Sequence, residues 1–321
     1  MLFMKRVCFY EYGGPDVLRI ENIEKPEIKK EGIKIDVKAI GVNPVDTYFR
    51  EGIYKPPMLP WTPGSDFSGV VVEVGSSSSD LNIGDRVFGT GMGRDLDGTY
   101  AETIVAPRKN MALLPDEVEF EEGAAIALVG VTAWRALIDH GRIKSGEKCL
   151  IHGGNGGVGH VAIQIAKDRD AEIITTARPK YHKSLKDLGA DYVFDYKEEK
   201  LADLIEQKGT QDVIIDHMCD EYMEIDIRVA GQGARIVGIG QENSDVTIPS
   251  FSVARSKEIT LHMISMFNTP KICSVLEQLA MMMSDGLLKA VVEDRYSLDE
   301  VKSAQKAIYS ESRLGKIIIT P

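Results

Sequence analysis

Three glycines in the middle of the chain are spaced for binding a phosphate. Gly154, Gly156 and Gly159 form the pattern G-x-G-x-x-G between an apolar run, KCLI, and an amphipathic run, VGHVAIQIA. In such a strand-to-helix turn the first glycine permits a tight bend, the second lets a pyrophosphate approach the backbone, and the third lets helix and strand pack closely. The helix N-terminus then faces the phosphates with partial positive charge. The pattern predicts a dinucleotide-binding loop formed by Gly154, Asn155, Gly156, Gly157, Val158 and Gly159, and the alternative is a merely glycine-rich turn.

The end of the next predicted strand indicates which dinucleotide is bound. NAD-binding proteins usually carry an acid about 20 residues after the glycines, where it binds the ribose 2′-hydroxyl. Here the strand ends with Thr176, Arg178 and Lys180, and no acid stands at its tip. Two cations and a hydroxyl donor suit a 2′-phosphate. The sequence therefore favours NADP(H) over NAD(H), with two solvated surface cations as the alternative.

The glycine loop and the two cations would be positioned by neighbouring strands of a parallel sheet, and the sequence predicts such a sheet. From about Glu121 onwards, predicted helices alternate with the predicted strands KCLI, AEIITTA, DYVFDY, DVIIDHM and ARIVGIG. Such alternation implies parallel pairing with right-handed crossovers, which is a doubly wound α/β sheet of the Rossmann type. Before it, from Lys5 to about Leu114, short β-rich runs between turn residues predict a small, mainly antiparallel, barrel-like domain. The closing strand GKIIIT has no neighbour of its own, so we expect it to return to the N-terminal domain.

Composition and charge argue against several kinds of partner. The chain has 38 basic and 49 acidic residues, a net charge of −11, and no dense Lys/Arg block that could neutralise nucleic-acid phosphates or an anionic membrane. Its longest nearly uncharged stretch is shorter than the roughly 20 residues that cross a bilayer. Glu11 interrupts the N-terminus before a signal-peptide core could form, which predicts a cytoplasmic protein. The serine run at 76–79 is predicted to be a surface loop.

The chain as a whole resembles the zinc-independent quinone oxidoreductases, the branch of the medium-chain dehydrogenase/reductase superfamily that includes ζ-crystallin. The resemblance implies a GroES-like catalytic domain formed by residues 1–122 and 267–321, with a Rossmann NADP-binding domain, 123–266, inserted into it. The motifs that carry the resemblance are AIGVNPVDTY from Ala39, PGSDFSGV from Pro63, NIGDRV from Asn82, GAA from Gly123, TA from Thr132, the glycine loop and GKI from Gly315.

The departures from zinc-dependent alcohol dehydrogenases decide the predicted reaction. Those enzymes place a cysteine ligand where this chain has 41–46, GVNPVD, and Gly-His-Glu where it has Gly64-Ser65-Asp66. The segment 91–98 also lacks the cysteines of a structural zinc lobe. A catalytic zinc needs three protein ligands, so no metal is expected. Without a Lewis acid, the sequence predicts hydride transfer to an electron-poor acceptor, a quinone or an alkene conjugated to a carbonyl.

The resemblance also assigns site residues. Asn43, Tyr48 and Tyr54 are similar to residues that approach the nicotinamide and the substrate, and a tyrosine hydroxyl can donate to an anion that develops on the substrate. Each tyrosine has an alternative as an amphipathic residue at a domain edge. Further cofactor contacts implied by the resemblance are Thr132, His217, Gly238, Ile239, Gly240, Met266, Phe267 and Lys316. For Met266 and Phe267 the alternative is ordinary core, and for Lys316 it is an exposed lysine.

The run 259–266 alternates in polarity and is expected to form an edge strand, where an unpaired ladder invites another chain. The resemblance implies that this edge pairs across a two-fold axis in a homodimer. Two alternative functions stay open. One is an enoyl-thioester reductase of the same superfamily, and the other is a nucleotide-binding protein without turnover.

Overall fold

The structure is a computed structural model that describes residues 3–28, 30–76, 80–243, 245–310 and 312–321. Ser77, Ser78 and Ser79, part of the serine run predicted to be a loop, lie outside the described residues. Within the described ranges, every helix is too short or too polar to span a bilayer.

Strands and helices follow one another along the whole chain. The strands are β1 (Phe3–Cys8), β2 (Arg19–Glu24), β3 (Gly32–Val42), β4 (Phe67–Val74), β5 (Arg86–Gly89), β6 (Thr103–Pro107), β7 (Met111–Leu113), β8 (Lys148–Ile151), β9 (Glu172–Thr176), β10 (Tyr192–Phe194), β11 (Gln211–Asp216), β12 (Ala230–Gly238), β13 (Thr260–Met263), β14 (Val292–Ser297) and β15 (Lys316–Thr320). The α-helices are α1 (Pro44–Glu51), α2 (Phe120–Trp134), α3 (Gly157–Asp168), α4 (His182–Leu188), α5 (Leu201–Glu206), α6 (Cys219–Val229), α7 (Phe251–Ser256), α8 (Ile272–Ser284) and α9 (Val301–Ser310).

The chain divides into two compact units. The first comprises Met1–Val131 with Pro270–Pro321, and the second comprises Thr132–Thr269. The divisions predicted from the sequence fall at 122/123 and 266/267. The first observed division, at 131/132, lies further along the same helix, α2, which continues as a π-helical segment, Arg135–His140.

A six-stranded parallel sheet forms the second unit, in the order β10-β9-β8-β11-β12-β13. The predicted doubly wound fold is confirmed. The central strands are apolar and buried, as sheets covered by helices on both faces require. The strand order runs in one direction from β8 to β10 and in the other from β11 to β13, so the reversal lies between β8 and β11. Ligands of such sheets bind at the carboxyl ends of the strands beside this point.

A seven-stranded sheet dominates the first unit, in the order β14-β15-β3-β4-β5-β7, with β6 also paired to β3. The closing strand β15 pairs antiparallel with β3, with Ile317 opposite Val42 and Ile319 opposite Ile40. Its predicted return to the N-terminal domain is therefore confirmed. The sheet is mixed rather than purely antiparallel, because β14 and β15 are parallel to each other.

The edge strand of the parallel sheet is shorter than predicted. The sequence predicted a strand over 259–266, whereas β13 ends at Met263. The chain leaves the ladder there and forms a short 3-10 turn, Met266–Asn268, which buries Met266. Its place at the sheet edge agrees with the expectation.

Candidate functional site

The glycine loop joins β8 to α3 at the carboxyl edge of the parallel sheet. A Cβ built on Gly154 would lie 2.2 Å from Thr175 Oγ1, and one on Gly159 would lie 2.2 Å from the Gly153 carbonyl oxygen. Gly156, which caps α3, is more open, since the nearest atom to its Cβ position is 3.3 Å away. The first backbone N–H groups of a helix have no partner within the helix. The loop therefore presents the N-terminus of α3 at the carboxyl edge of the sheet, which is the arrangement that phosphate-binding loops use.

Thr176 holds this loop against β9. Its Oγ1 accepts a hydrogen bond from Gly153 N at 3.0 Å, and its carbonyl oxygen accepts one from Gly154 N at 3.0 Å. The residue is buried. The sequence predicted a hydroxyl donor for a ribose phosphate, whereas in the structure the hydroxyl oxygen supports the glycine loop.

Two exposed cations follow β9, as predicted. Arg178 Nε donates to the Tyr196 hydroxyl at 3.3 Å, and Lys180 Nζ lies 4.6 Å from the centre of the Tyr181 ring. Tyr196 follows β10, the neighbour of β9, and sequence reasoning missed it. The available signal was an aromatic residue directly after the adjacent strand. Asp195 adds a negative charge near the Arg178 guanidinium, so the surface after β9 and β10 carries both positive and negative charges.

The loop after β11 lies against the glycine loop. A Cβ built on Gly153 would lie 2.6 Å from His217 Cε1, so the imidazole packs on that glycine. Met218 N donates to Asp216 Oδ1 at 2.8 Å, which fixes the start of the loop. The structure thus places His217 beside the glycine loop, and its contact with a cofactor stays a prediction.

A buried polar cluster adjoins both loops, and sequence reasoning missed it. His152 Nε2 lies 2.8 Å from Asp226 Oδ1, and its ring stacks on Tyr222 with 4.4 Å between centroids. Burial raises the pKa of Asp226 to about 8 and that of Asp216 to about 7, and burial lowers the pKa of His152 to about 4. Near neutral pH, the imidazole is therefore uncharged and the carboxyl pair holds at least one proton. His152 and Asp226 are 74 positions apart, so no local motif reveals the pair.

Three predicted cofactor residues lie where β12 ends: Gly238 is its last residue, and Ile239 and Gly240 follow it. Ile239 N donates to the Asp216 carbonyl oxygen at 2.8 Å, and the Gly240 carbonyl oxygen accepts from Cys219 N at 3.1 Å. These bonds fix the ends of β11 and β12 side by side at the carboxyl edge of the sheet.

The remaining predicted residues of the second unit lie in α2 and after β13. Thr132 is a buried residue of α2. Met266 is buried and Phe267 half-buried in the turn after β13, which is compatible with the alternative of ordinary core. Arg135 Nη1 donates to the Ser265 carbonyl oxygen, so the π-helical segment is hydrogen-bonded to the segment just before that turn.

A buried network in the first unit engages two of the predicted residues. Asn43 Nδ2 donates to Asp66 Oδ2 at 2.8 Å, and Asn43 Oδ1 accepts from Lys316 Nζ at 2.5 Å. Lys316 Nζ also donates to the Val42 carbonyl oxygen at 2.8 Å. Lys316 is therefore buried, so the alternative of an ordinary exposed lysine is wrong. Both ends of the Asn43 side-chain amide are hydrogen-bonded to other residues of the protein. Their predicted contacts with cofactor and substrate stay predictions.

Asp46 extends this network. Its Oδ2 accepts from Asn43 N at 2.9 Å and from the Tyr100 hydroxyl at 3.1 Å, and its buried Oδ1 has no hydrogen-bond partner among the described residues. Burial raises the pKa of Asp46 to about 7, and it also raises the pKa of Asp66 and lowers that of Lys316. The Asp46 carboxyl thus holds a proton over much of the range below neutral pH.

The two predicted catalytic tyrosines lie together at the end of α1. The Tyr48 and Tyr54 rings meet edge to face, with 5.8 Å between centroids, and Phe49 contacts Tyr54 at the same distance. Tyr54 is 48% exposed, whereas Tyr48 is half-buried. Burial, followed by the neighbouring Tyr309, raises the pKa of Tyr48 to about 12. Tyr48 therefore keeps its proton at physiological pH.

The residues at the places of the zinc ligands do not fit a zinc ion. Both Asp66 oxygens are occupied, Oδ1 by Leu128 N at 2.9 Å and Oδ2 by Asn43 Nδ2. The Lys316 ammonium lies 3.7 Å from Asp66 Oδ2, where it would repel a dication. Across the part of the chain that the structure describes, no three His, Cys, Asp or Glu side chains are grouped so as to hold a metal ion.

Comparison with known proteins agrees with this architecture. The family described as "Alcohol dehydrogenase GroES-like domain" matches residues 29–116, and the family described as "Zinc-binding dehydrogenase" matches residues 188–319. Fold and sequence thus define an oxidoreductase of the medium-chain dehydrogenase/reductase superfamily, with a GroES-like and a Rossmann part, as predicted.

Full-length relatives narrow the assignment. Human quinone oxidoreductase is 34% identical over 328 residues, which cover 98% of this chain and 97% of the relative. A chloroplastic NADPH-dependent alkenal/one oxidoreductase from Arabidopsis thaliana is 31% identical over 332 residues, which cover 99% of this chain and 80% of the relative. The Escherichia coli quinone oxidoreductase, solved in complex with NADPH, has a TM-score of 0.89 and 27% identity, covering 99% of this chain and 100% of that one. The chain belongs to the quinone oxidoreductase family.

Proposed function

We propose that this protein is an NADPH-dependent, zinc-free oxidoreductase that transfers a hydride to a quinone or an α,β-unsaturated carbonyl compound. The observation that carries the proposal is the open glycine cradle at the start of α3, with Arg178 and Lys180 at the end of the adjacent strand β9. Backbone N–H groups and cations in this order suit a pyrophosphate and a ribose 2′-phosphate.

The cofactor is NADP(H), which the related Escherichia coli enzyme carries in its solved structure. In this chain, the loop 154–159 would hold the pyrophosphate, and Arg178, oriented by its hydrogen bond to Tyr196, would hold the 2′-phosphate. The cations lie on the β9 side of β8. The residues that the resemblance places along the nicotinamide lie at the end of β12, at 238–240, and after β13, at Met266 and Phe267. Both strands are on the opposite side of β8, as an extended dinucleotide requires. When bound, the cofactor supplies a hydride.

The first unit supplies the proton donor. Tyr48 is half-buried and protonated at physiological pH, so its hydroxyl can donate to the oxygen on which charge develops as the acceptor is reduced. Asn43 acts indirectly, because it caps α1 and, through Asp66 and Lys316, fixes the start of the helix that carries Tyr48. No step uses a metal, since the residues around Asp66 do not fit one. A quinone or a conjugated alkene is electron-poor enough to accept a hydride without it.

The oligomeric state and the location belong to the same proposal. The edge strand β13 carries exposed Met263 and leaves one side of its ladder without a partner strand among the described residues. Such an edge favours pairing with a second copy, which supports the homodimer. The cytoplasmic location stays a prediction of the sequence.

The function is tested by following NADPH oxidation at its absorbance band after the protein has been stripped of metal with a chelator. The acceptors are ortho- and para-quinones, enals, enones and an enoyl-thioester. We expect turnover with a quinone or an enone. A preference for the thioester would establish an enoyl-thioester reductase instead. NADPH binding without any turnover would favour a nucleotide-binding protein, and activity only after zinc is restored would overturn the zinc-free proposal.

Arg178→Ala tests the cofactor preference. We expect the dissociation constant for NADPH to rise roughly tenfold to a hundredfold, because a charged hydrogen bond contributes about 1.5–3 kcal/mol. The constant for NADH should change much less. Arg169→Ala, a partly exposed arginine of the same unit, is the control. Equal losses for both nucleotides in Arg178→Ala would show that the residue does not read the 2′-phosphate.

A further inference from the structure

The Asp220 carboxylate, in the first turn of α6, binds the segment that follows β12. Its Oδ1 accepts a hydrogen bond from Glu242 N at 3.0 Å. Its Oδ2 accepts two from Asn243, one from N at 3.0 Å and one from Nδ2 at 2.7 Å. One carboxylate thus takes up three donors of a segment that belongs to neither a helix nor a strand.

The charge of Asp220 does not change over the pH range in which the protein would be assayed. The N–H groups of Glu242 and Asn243 lower the pKa of Asp220 to about 2, because hydrogen bonds to the charged form favour it. Hydrogen bonds to an ionised acceptor are shorter and stronger than those between neutral groups. The attachment of the segment to α6 is therefore the same at acid and at neutral pH.

These bonds continue a set of backbone bonds at the carboxyl edge of the parallel sheet. Two backbone hydrogen bonds, of 2.8 Å and 3.1 Å, join 239–240 to the end of β11 and the start of α6. A Cβ built on Gly240 would lie 2.7 Å from the His217 carbonyl oxygen, so the backbone lies directly on the turn between β11 and α6. Asp220 extends this attachment as far as Asn243.

We propose that Asp220 is a positioning residue that fixes 238–240 in the orientation in which their backbone receives the nicotinamide half of NADPH. The inference rests on the proposed function and deepens it, because that function has 238–240 beside the nicotinamide. In this role Asp220 acts through the backbone of 239–243 and not by contact with the cofactor.

Hydride transfer makes the position of this segment important. The reacting atoms must come within about 3–3.5 Å of each other, and a displacement of about 1 Å can lower the rate about a hundredfold. The strand β12 ends at Gly238, so beyond it the hydrogen bonds to α6 decide where the backbone lies. Gly240 has no side chain to restrict its own backbone, which makes those bonds more necessary.

Asp220→Asn tests the assignment, with NADPH and the best acceptor of the panel. The amide oxygen can still accept from Glu242 N, but the amide nitrogen would then face Asn243 N, so at least that bond is lost. We expect kcat to fall roughly tenfold and KM for NADPH to rise, because the nicotinamide is misplaced. The compound 2′,5′-ADP has the adenosine half and the 2′-phosphate but no nicotinamide, so it should bind as tightly as to the wild type.

Glu221→Gln is the matched control. Glu221 is an exposed acid in the same turn of α6, so this change removes the same charge from the start of the helix. Among the described residues, its carboxylate accepts no hydrogen bond from 239–243. The kcat and the KM for NADPH should therefore stay as in the wild type.

The double variant Asp220→Asn/Asn243→Asp separates the contact between the two side chains from the effect of either substitution alone. Asn243→Asp by itself should lower kcat, because two carboxylates would face each other. In the double variant the amide at position 220 can donate to the carboxylate at position 243, so we expect part of the loss to be recovered.

Four results would overturn the positioning role. They are an unchanged kcat in Asp220→Asn, an equal loss in Glu221→Gln, an equal weakening of NADPH and 2′,5′-ADP binding, and a double variant that shows the sum of both losses. If the wild type reduces no acceptor, the proposed function fails, which is a different result. The positioning role is then read from binding, since the ratio of the NADPH to the 2′,5′-ADP dissociation constant should still rise in Asp220→Asn, and an unchanged ratio would overturn it.

Discussion

Asp46 shows how one buried carboxyl group couples the site to pH. Its pKa is raised from 3.8 to about 7, chiefly by burial. Between these two values, the folded protein holds a proton that the unfolded chain releases. The carboxyl therefore makes the free energy of unfolding decrease as pH rises from about 4 to about 7.

Asp46→Asn should remove this dependence. The amide replaces the carboxyl group with a neutral one of the same shape, and its oxygen can still accept from Asn43 N and the Tyr100 hydroxyl. The difference in free energy of unfolding, variant minus wild type, should therefore be larger at pH 8 than at pH 5. The increase should be up to about 3 kcal/mol, at 1.36 kcal/mol per pKa unit. Urea unfolding at both pH values measures the gain.

The control for this measurement is Asp95→Asn, at a carboxylate whose side chain is 80% exposed. Its stability relative to the wild type should be the same at both pH values. If the free energy of unfolding changed equally in the wild type and in Asp46→Asn between pH 5 and pH 8, the Asp46 carboxyl would not hold the proton in the folded state.

At the scale of elements, two glycines of the β8–α3 turn have different roles, one in packing and one in binding a ligand. A Cβ on Gly159 would lie 2.2 Å from backbone, so this glycine permits the close approach of helix and loop. Gly156 has φ −74°, which any residue can adopt, and a Cβ there would lie 3.3 Å from the Gly153 carbonyl oxygen, a contact that a shift of a few tenths of an ångström relieves. We therefore expect its lack of a side chain to serve a ligand more than the fold.

Two alanine variants test this separation. Gly159→Ala should destabilise the protein by about 1–3 kcal/mol or more, because the backbone must shift. Gly156→Ala should cost no more than about 1 kcal/mol of stability, because alanine is a poorer helix N-cap than glycine. It should weaken NADPH binding roughly tenfold or more, since a methyl group would stand where the phosphate approaches. Thermal unfolding and NADPH titration measure the two effects. Unchanged NADPH affinity in a folded Gly156→Ala would contradict a phosphate site in this loop.

Elements also explain what sequence reasoning missed. The glycine loop and the cations after β9 were found because each is a local pattern beside a recognisable strand. Tyr196 was missed because it reaches Arg178 only through the pairing of β9 with β10. The contact between Thr47 and Tyr309 was missed for the same kind of reason, because the two residues stand 262 positions apart in the chain.

At the scale of the whole molecule, the exposed edge strand β13 makes the homodimer testable. Met263 on that strand is 59% exposed, as is Met281 on α8 of the other unit. Lysine on an edge strand opposes pairing with another chain. Met263→Lys should therefore halve the mass measured by light scattering, whereas Met281→Lys should keep the mass of two chains. A wild-type protein with the mass of one chain at working concentration would contradict the homodimer.

The sequence by itself determined the features that depend on near neighbours along the chain. The alternation of strands and helices after Glu121 was enough to predict the parallel sheet, because each crossover is a local unit. The glycine spacing and the two cations after β9 were enough to predict a phosphate cradle and the NADP(H) preference, since strand, turn and helix are contiguous there.

Only the tertiary structure decided which distant polar groups share a buried, low-dielectric environment. It turned Thr176 into a support for the glycine loop, enclosed Asn43 and Lys316 in one network with Asp66, and paired His152 with Asp226. The order of residues along the chain does not show which polar groups become buried together. Burial is what shifts these pKa values and makes an unpaired polar group costly.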